Sequence, residues 1–430
     1  LNAALAELAQ EIGVGTVATN NVHYANKPRF EVHDALTCVR TLTTLDDIHP
    51  ERRINAENYL KSADEMSELF AKYPEALANT NEIADKCSPG LDLSLRLFPK
   101  YQTPKGLSSA EYLVRLTREG AIAQYGKITP VIENRLSHEL SIITALGFED
   151  YFLVVWDIAQ WAQSQGIRYA GRGSAADSAV AYCLKLTNVD SIARGLLFER
   201  FMSLERAQKP DIDIDFESER RDDVADYIYR KYGDGHVASV CTFNTFQARS
   251  AVRDFGKALG FPPNDIDRIA NILPHVPADA VRSALQRYPE ARSEEIPTWQ
   301  YELLFELCES VAGFPRHIGT HLGGLVISDQ PLTCVTPLQM SAKGVAITQF
   351  DKNAIEDLGL IKLDILSLRT LSAVEHTVDM VRASGKGHDD FDYNGIPLDD
   401  DDTYKMLNSG ETIGLFQLES PAQRALQTRL

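Results

Sequence analysis

The chain has 430 residues, of which 44% are hydrophobic, with a mean hydropathy of −0.21 and a formal net charge of −18. This composition predicts a soluble globular protein of roughly two to four domains. It excludes a membrane span, because no apolar run approaches the roughly 18 residues that cross a bilayer. It also excludes a surface that is basic throughout, so any contact with a polyanion must rest on local positive charge.

The amino-terminal residues and the cysteine pattern indicate the cellular compartment of the protein. Glu7 and Glu11 stand where a secretory signal would have a basic start and an apolar core, so we expect a cytoplasmic location and no membrane partner. The six cysteines form no Cys-x-x-Cys pair, which favours buried reduced thiols over a disulfide framework or a zinc site. The chain starts at Leu1 rather than at a methionine, and we interpret it as part of a longer protein.

Hydrophobic periodicity predicts a mixed chain of helices and strands. The predicted elements are a helix at the amino terminus, a short strand Gly15 to Thr19, a helical stretch over 53–88, helices over 108–165 that start at a Ser108 cap and break at Gly126 and Gly147, a mixed region over 167–260, a proline-rich helical stretch, strands near 325–328 and 358–366, and helix and loop after Arg369. No repeat or low-complexity linker marks a boundary.

A glycine-rich turn at Gly171 opens a run with helical spacing that extends to Leu184. Free N–H groups in the first turn of a helix, with the Ser174 hydroxyl and close backbone approach at Gly173, would form a phosphate site. The spacing is not that of a Walker A loop. The alternative is that Ser174 is only an N-cap and the glycines only a tight turn.

Residues 210 to 216 alternate carboxylates with apolar side chains. Asp211, Asp213 and Asp215 would share one face of a strand, opposite Ile212, Ile214 and Phe216. Packed carboxylates repel one another unless a cation neutralises them, so the pattern indicates a divalent metal site. The alternative is an exposed edge strand with acidic residues that discourage aggregation.

A basic stripe follows on a predicted helix. Arg249, Arg253 and Lys257 recur every four residues opposite an apolar face, which suits contact with phosphates or an ordinary solvated helix face. Arg200 adds a cation before the acidic strand.

The segment 360–366 alternates in the same way. Lys362 and Asp364 would share a face, either as a surface ion pair or with Asp364 as a further metal ligand.

These pieces, in this order, resemble the bacterial C-family DNA polymerases, which comprise the alpha subunit of DNA polymerase III and its error-prone paralogue. The resemblance covers essentially the whole chain. The blocks that carry it are Gly171 to Ala176, Leu196 to Phe201, Pro210 to Phe216, Thr242 to Gly260, His321 to Gly324, Thr348 to Lys352, Lys362 to Thr370 and Phe416 to Ser420.

The resemblance implies an α/β (α+β) fold, with a palm similar to polymerase beta and an inserted helical thumb, preceded by the end of a PHP domain. The implied domains are the carboxy-terminal part of PHP over 1–80, palm over 81–242 and 318–370, thumb over 243–317, and the start of the fingers over 371–430.

The resemblance also implies DNA-directed DNA polymerase activity, in which two Mg²⁺ ions assist attack of a primer 3'-hydroxyl on a deoxynucleoside triphosphate. The implied assignments are Asp211, Asp213 and Asp364 as catalytic metal ligands, Gly173, Ser174, Lys362, Arg249 and Arg253 as nucleotide-binding residues, and Lys257 and Arg200 as DNA-binding residues. Asp215 is left as a neighbour of the metal ligands. Expected partners are primer-template DNA, with a sliding clamp and other replication or repair proteins bound through regions outside this chain.

The amino-terminal loop resembles the last loop of a PHP metallophosphoesterase, with Asn21 where metal-binding members have an aspartate, although His23 is kept. We expect no phosphoesterase activity from this chain. The residues Asn20 to His23 of this loop favour the error-prone paralogue. His317 and His321 invite a zinc interpretation that the surrounding glycines disfavour. Two alternatives stay open: a DNA-binding module without turnover, and a PHP-type phosphoesterase. We expect poor or absent primer extension by the chain alone.

Overall fold

A computed structural model describes residues 2–87, 90, 93, 97–205, 210, 212–287, 298–384, 391–397 and 399–429. The chain divides into two compact units, one formed by residues 1–92 and 243–319 and the other by residues 93–242 and 320–430. The described elements confirm a mixed α+β protein. No described helix is long and apolar enough to cross a membrane.

The first unit is helical. Its helices are α1 Asn2–Ile12, α2 Phe30–Thr41, α3 Ala63–Leu69, α4 Pro74–Lys86, α10 Ala248–Ala258, α11 Pro263–Ile272, α12 Val281–Arg287 and α13 Glu302–Ser310. Its core joins α2 to the later helices through Val32, Val252, Phe255, Ile269 and Phe305. The segment predicted as a thumb therefore shares a compact unit with the amino-terminal residues.

One prediction for the first unit is wrong, and another is right only in part. Gly15 to Thr19 forms no strand, because its backbone contacts α4 instead of another strand: the Ala18 N–H donates to the Ala76 carbonyl. The predicted helical stretch 53–88 holds two short helices, since a Ser62 capping box starts α3 and Pro74 is the first residue of α4.

The second unit contains a mixed sheet. Its strands are β1 Tyr169–Arg172, β2 Asp213–Glu217, β3 Val237–Thr245, β4 Pro315–Ile327, β5 Leu338–Met340, β6 Ala346–Asp351 and β7 Lys362–Leu368. Their order across the sheet is β1-β2-β7-β4-β3-β6-β5, and the unit boundaries fall within β3 and β4. Strand β2 is antiparallel to β1 and parallel to β7, and β7 is antiparallel to β4.

The second unit also contains helices, and several of them pack on this sheet. They are α5 Ser109–Tyr125, α6 Pro130–Leu146, α7 Glu149–Ser164, α8 Ala179–Cys183, α9 Arg221–Tyr232, α14 Lys352–Asp357, α15 Arg369–Ala383, α16 Asp401–Ser409 and α17 Pro421–Gln427. The predicted ends of α5 and α6 at Gly126 and Gly147 are confirmed, as is the Ser108 cap. The main core is formed by the five helices α5, α6, α7, α8 and α9 together with strands β1, β2 and β7. It includes residues such as Phe152, Ile214 and Ile365.

The cysteine prediction is partly wrong. All six cysteines are free thiols, and four are buried as expected, but Cys87 and Cys334 are exposed.

Candidate active site

One row of residues crosses four neighbouring strands of the second unit. Ile214 of β2 pairs with Ile365 of β7, so the preceding residues, Asp213 and Asp364, lie side by side. Adjacent strands are about 4.8 Å apart, and aligned residues of parallel strands face the same side of a sheet. Arg172 of β1 stands opposite Asp213, and Gly324 of β4 stands opposite Asp364. The row therefore consists of an arginine, two aspartates and a glycine, and is called the acidic row below.

The acidic strand is interior to the sheet. Strand β2 lies between β1 and β7, so the alternative of an exposed edge strand is wrong. Ile212, Ile214 and Phe216 are buried as predicted. Asp213 keeps 21% of its side chain exposed, and Asp215 is mostly buried. Asp211, predicted as a further ligand, lies outside the described residues.

The Lys362–Asp364 pair is not a surface salt bridge. The Lys362 ammonium contacts Oδ2 of Asp364, and the two side chains are only 11% and 12% exposed. Oδ1 of Asp364 is buried and has no hydrogen-bond partner among the described residues. A buried carboxylate oxygen without a donor suits a bound cation.

Arg172 is a site residue that reading the sequence missed. Its guanidinium lies 3.1 Å from Oδ2 of Asp215 and 3.8 Å from Oδ2 of Asp213. Ala170, opposite Asp215, leaves room for this contact. Burial raises the pKa of Asp215 above its usual value, and the Arg172 charge opposes that shift. The sequence feature that could have identified Arg172 is its position between Gly171 and Gly173.

The glycine turn does not begin a helix as predicted. Gly173 to Asp177 form a 3₁₀ turn, and α8 begins at Ala179 with Ser178, not Ser174, as its N-cap. The first N–H groups of α8 are not free, because the buried carboxylate of Glu139 accepts hydrogen bonds from Ala179 and Val180. A phosphate site at this helix terminus is therefore ruled out, because an internal anion already occupies it.

Gly173 nevertheless lies beside the acidic row. Its φ is +68°, and a Cβ there would stand 3.7 Å from Oδ2 of Asp213. The Gly173 backbone therefore lies next to the Asp213 carboxylate, without help from a helix dipole. Their nucleotide-binding assignment stays a prediction.

His321 and Gly324 border the other side of Asp364. The Gly324 N–H donates to Nδ1 of His321 at 2.8 Å, which leaves the proton of a neutral imidazole on Nε2. Burial is the main cause that lowers the pKa of His321, with the Asp364 charge opposing it. A Cβ on Gly324 would stand 3.0 Å from Cδ of Lys362, so glycine makes room for that lysine.

The basic stripe forms on α10 of the first unit. Ala248, Val252 and Phe255 are buried as predicted. Arg249 donates to the Leu273 carbonyl, and Arg253 donates to Asn271 at 2.9 Å and lies 3.4 Å from Asp267. Both arginines are thus tied to α11 or to the residue that follows it. Lys257 is exposed and has no ion-pair partner among the residues that the structure describes. The nucleotide- and DNA-binding assignments of these residues stay predictions.

The remaining predicted cation, Arg200, belongs to the second unit. Its side chain is 72% exposed and lies 3.8 Å from Asp177. A weak exposed ion pair leaves the guanidinium accessible to a phosphate. Its DNA-binding assignment stays a prediction.

An arginine from a later segment lies next to His23 of the amino-terminal loop. Arg53 Nη2 lies 2.6 Å from Nε2 of His23, and the His23 ring is tilted by 55° against the His33 ring, with 5.1 Å between their centroids. Burial lowers the pKa of His33, and the nearby charges of His23 and Arg53 add to that shift. Within the described part of the chain, no group of three or more His, Cys, Asp or Glu side chains is placed to hold a metal.

Comparison with known proteins defines the class of this chain. A family model described as the bacterial DNA polymerase III alpha NTPase domain matches residues 111–367, and one described as the finger domain of the same subunit matches residues 370–430. The chain therefore belongs to the bacterial DNA polymerase III alpha family, which confirms the resemblance drawn from its motifs.

Individual relatives add detail within that family. The chain is 60% identical to an error-prone DNA polymerase of Symbiobacterium thermophilum, over 100% of this chain and 39% of the relative. It is 37% identical to DNA polymerase III subunit alpha of Bacillus subtilis, over 100% of this chain and 38% of the relative. It is 36% identical to the same subunit of Escherichia coli K12, over 99% of this chain and 38% of the relative. The chain thus spans about two fifths of these relatives.

Proposed function

We propose that this chain carries the catalytic core of a template-directed DNA polymerase that acts in DNA replication or repair. The observation that supports it most is the alignment of Asp213 with Asp364 on adjacent parallel strands, in a chain of this family. Two carboxylates from segments about 150 residues apart in sequence meet on one face of the sheet. Such a pair provides hard oxygen ligands for magnesium.

The proposed metal is magnesium, with two ions as the family resemblance implies. Asp213 and Asp364 would hold the metal with Asp211, and the buried Oδ1 of Asp364 has an open lone pair for it. When bound, magnesium would make the primer 3'-hydroxyl a better nucleophile and neutralise charge on the triphosphate. Asp215 does not join this set in our proposal, since its two oxygens are engaged by Arg172.

The surrounding side chains would position the triphosphate. Lys362 and Gly173 lie beside the carboxylates, Ser174 follows Gly173 in the chain, and Arg172 adds a half-exposed guanidinium there. Phosphate oxygens accept hydrogen bonds from such donors, and the donors stabilise charge that develops as the bond to pyrophosphate breaks. The proposal also keeps Arg249 and Arg253 as nucleotide-binding residues, and Lys257 and Arg200 as residues that would bind the DNA backbone.

The proposal also covers the domain architecture of the chain and the type of polymerase to which it belongs. The sheet would be the palm, residues 243–317 the thumb, residues 371–430 the start of the fingers, and the amino-terminal residues the end of a PHP domain. The identity to an error-prone relative supports the error-prone type. A PHP-type phosphoesterase is not proposed, because Arg53 places a cation against His23.

The test measures Mn²⁺-dependent binding of a deoxynucleoside triphosphate and extension of a primer. We expect Asp213→Asn and Asp364→Asn to lose metal-dependent nucleotide binding and to abolish any extension that the chain supports. Asp402→Asn is the matched control, because that carboxylate is 88% exposed and pairs only with Lys405 among the described residues.

Retained Mn²⁺-dependent nucleotide binding in both site variants would refute the proposal. If the chain bound primer-template DNA but neither metal nor nucleotide, the alternative of a DNA-binding module without turnover would replace it.

A further inference from the structure

Asp213, Asp215 and Asp364 each already lie beside a cation of the chain. Lys362 contacts Asp364, and Arg172 contacts Asp215 closely and Asp213 at 3.8 Å. Three carboxylates and two side-chain cations thus share one face of the sheet. Because these carboxylates are between 12% and 21% exposed, leaving one unpaired would be costly.

The two cations differ in what would become of them when metal binds. Arg172 is held mainly by Asp215, which is outside the proposed ligand set, so its guanidinium can stay in place. Lys362 is held by Asp364, a proposed ligand, at the carboxylate oxygen Oδ2. A divalent cation on Asp364 would compete with the ammonium for the same charge and would repel it at short range.

The lysine has room to respond. Its stem passes over Gly324, where a Cβ would stand 3.0 Å from Cδ of Lys362, and lysine has a flexible stem that carries a compact charge. An ammonium released from Asp364 needs a new anion. The phosphates of a triphosphate bound at the same face would provide it.

We propose that Lys362 exchanges partners during nucleotide binding: it neutralises Asp364 in the metal-free protein, is released when a divalent cation takes that carboxylate, and then binds the incoming triphosphate. This inference rests on the function proposed above. It follows that metal and triphosphate bind cooperatively through Lys362, and that the lysine protects the buried carboxylate between catalytic cycles.

The experiment follows the reactivity of the Lys362 amine. The chain receives a short pulse of an amine-acylating reagent alone, with Mn²⁺, and with Mn²⁺ plus a deoxynucleoside triphosphate, and mass spectrometry measures the modified fraction. We expect slow modification of Lys362 in the absence of metal, because its side chain is only 11% exposed and contacts Asp364. We expect Lys362 modification to rise several-fold with Mn²⁺ and to fall again when the triphosphate is added.

Lys231 is the internal control. It is held by Asp157 at 2.5 Å on a different part of the second unit, so its modification is expected to stay constant. A second test uses Lys362→Gln, which removes the competing ammonium. We expect this variant to bind Mn²⁺ several-fold more tightly without nucleotide, and to lose most of the gain in Mn²⁺ affinity that the triphosphate provides.

Free Mn²⁺ is measured by electron paramagnetic resonance in the same samples, with Asp364→Asn as the reference for loss of the site. If Mn²⁺ binds in an Asp364-dependent way while Lys362 modification does not change, the exchange is refuted and the metal site stands. If the parent chain binds no Mn²⁺, the proposed function is refuted and the exchange with it.

Discussion

Two glycines next to the acidic row are required by space rather than by backbone dihedral angles. At Gly171, a Cβ would lie 1.9 Å from the carbonyl oxygen of Leu186, so no side chain fits between β1 and that backbone. At Gly324, the neighbours are the His321 ring and the Lys362 stem, which can move. Gly171 is therefore the stricter requirement, and it positions the strand that carries Arg172.

We expect Gly171→Ala to destabilise the chain by about 1–3 kcal/mol or more, because the added methyl group must push two backbones apart. Urea denaturation followed by circular dichroism measures the change. Gly235→Ala is the control, since a Cβ there meets nothing within 4 Å. Equal denaturation midpoints for the two variants would show that β1 shifts without cost.

At the scale of elements, the short helix α8 depends on a charge from another helix. Glu139 of α6 is fully buried, accepts hydrogen bonds from Ser178, Ala179 and Val180, and pairs with Arg135 at 2.5 Å. A five-residue helix is not stable by itself. The buried carboxylate therefore fixes where α8 starts and, through it, the turn at Gly173.

We expect Glu139→Gln to lower the free energy of unfolding by about 3–5 kcal/mol, since it leaves Arg135 without its charge partner and removes the acceptor of one of the two backbone N–H groups. The control is Glu133→Gln on the same helix, whose pair with Arg118 is exposed and should contribute less than about 1 kcal/mol. Chemical denaturation measures the free energy of unfolding of both variants. A similar loss of that free energy in both would contradict the anchoring role of Glu139.

The basic face of α10 allows a separate prediction about DNA. Arg249 and Arg253 have partners within their own unit, whereas Lys257 has no ion-pair partner among the described residues. We expect Lys257→Ala to weaken binding of primer-template DNA and to reduce the slope of log Kobs against log salt by about 0.9, the value for one phosphate contact.

Fluorescence anisotropy at several salt concentrations measures that slope. Lys86→Ala is the control, because Lys86 is 69% exposed and pairs with Glu82 on its own helix. An unchanged slope in Lys257→Ala would place that lysine away from the DNA.

At the scale of the whole molecule, the chain has two compact units with separate hydrophobic cores. Units with their own cores can unfold in separate transitions. All the described carboxylates of the proposed metal site belong to the second unit. Metal binding should therefore stabilise that unit.

We expect Mg²⁺ to raise the unfolding temperature of one calorimetric transition, relative to EDTA, with a stabilisation of about 2.7 kcal/mol at a hundredfold excess over Kd. Asp364→Asn should abolish the shift, and Asp402→Asn should keep it. A shift that persists in Asp364→Asn would locate the metal elsewhere.

Local pattern was sufficient for much of this protein. The caps and glycine stops of α5 and α6, the amphipathic α10 and the alternating strands follow from residues close in sequence, because side-chain spacing sets which face is buried. The motifs likewise identified the family, since their order and residues are readable without coordinates. The helix predicted after Gly171 was wrong, because its start depends on Glu139, more than thirty residues away.

The chain's own sequence determined its family, its mixed composition of helix and strand, and which acidic residues could hold a metal. Only the tertiary structure decided that Asp213 and Asp364 are neighbours, that Arg172 joins them, and that Glu139 fills the terminus of α8. The physical reason is that strand register and buried ion pairs join segments distant in sequence. Such pairings depend on the packing of the whole unit, which no local spacing encodes.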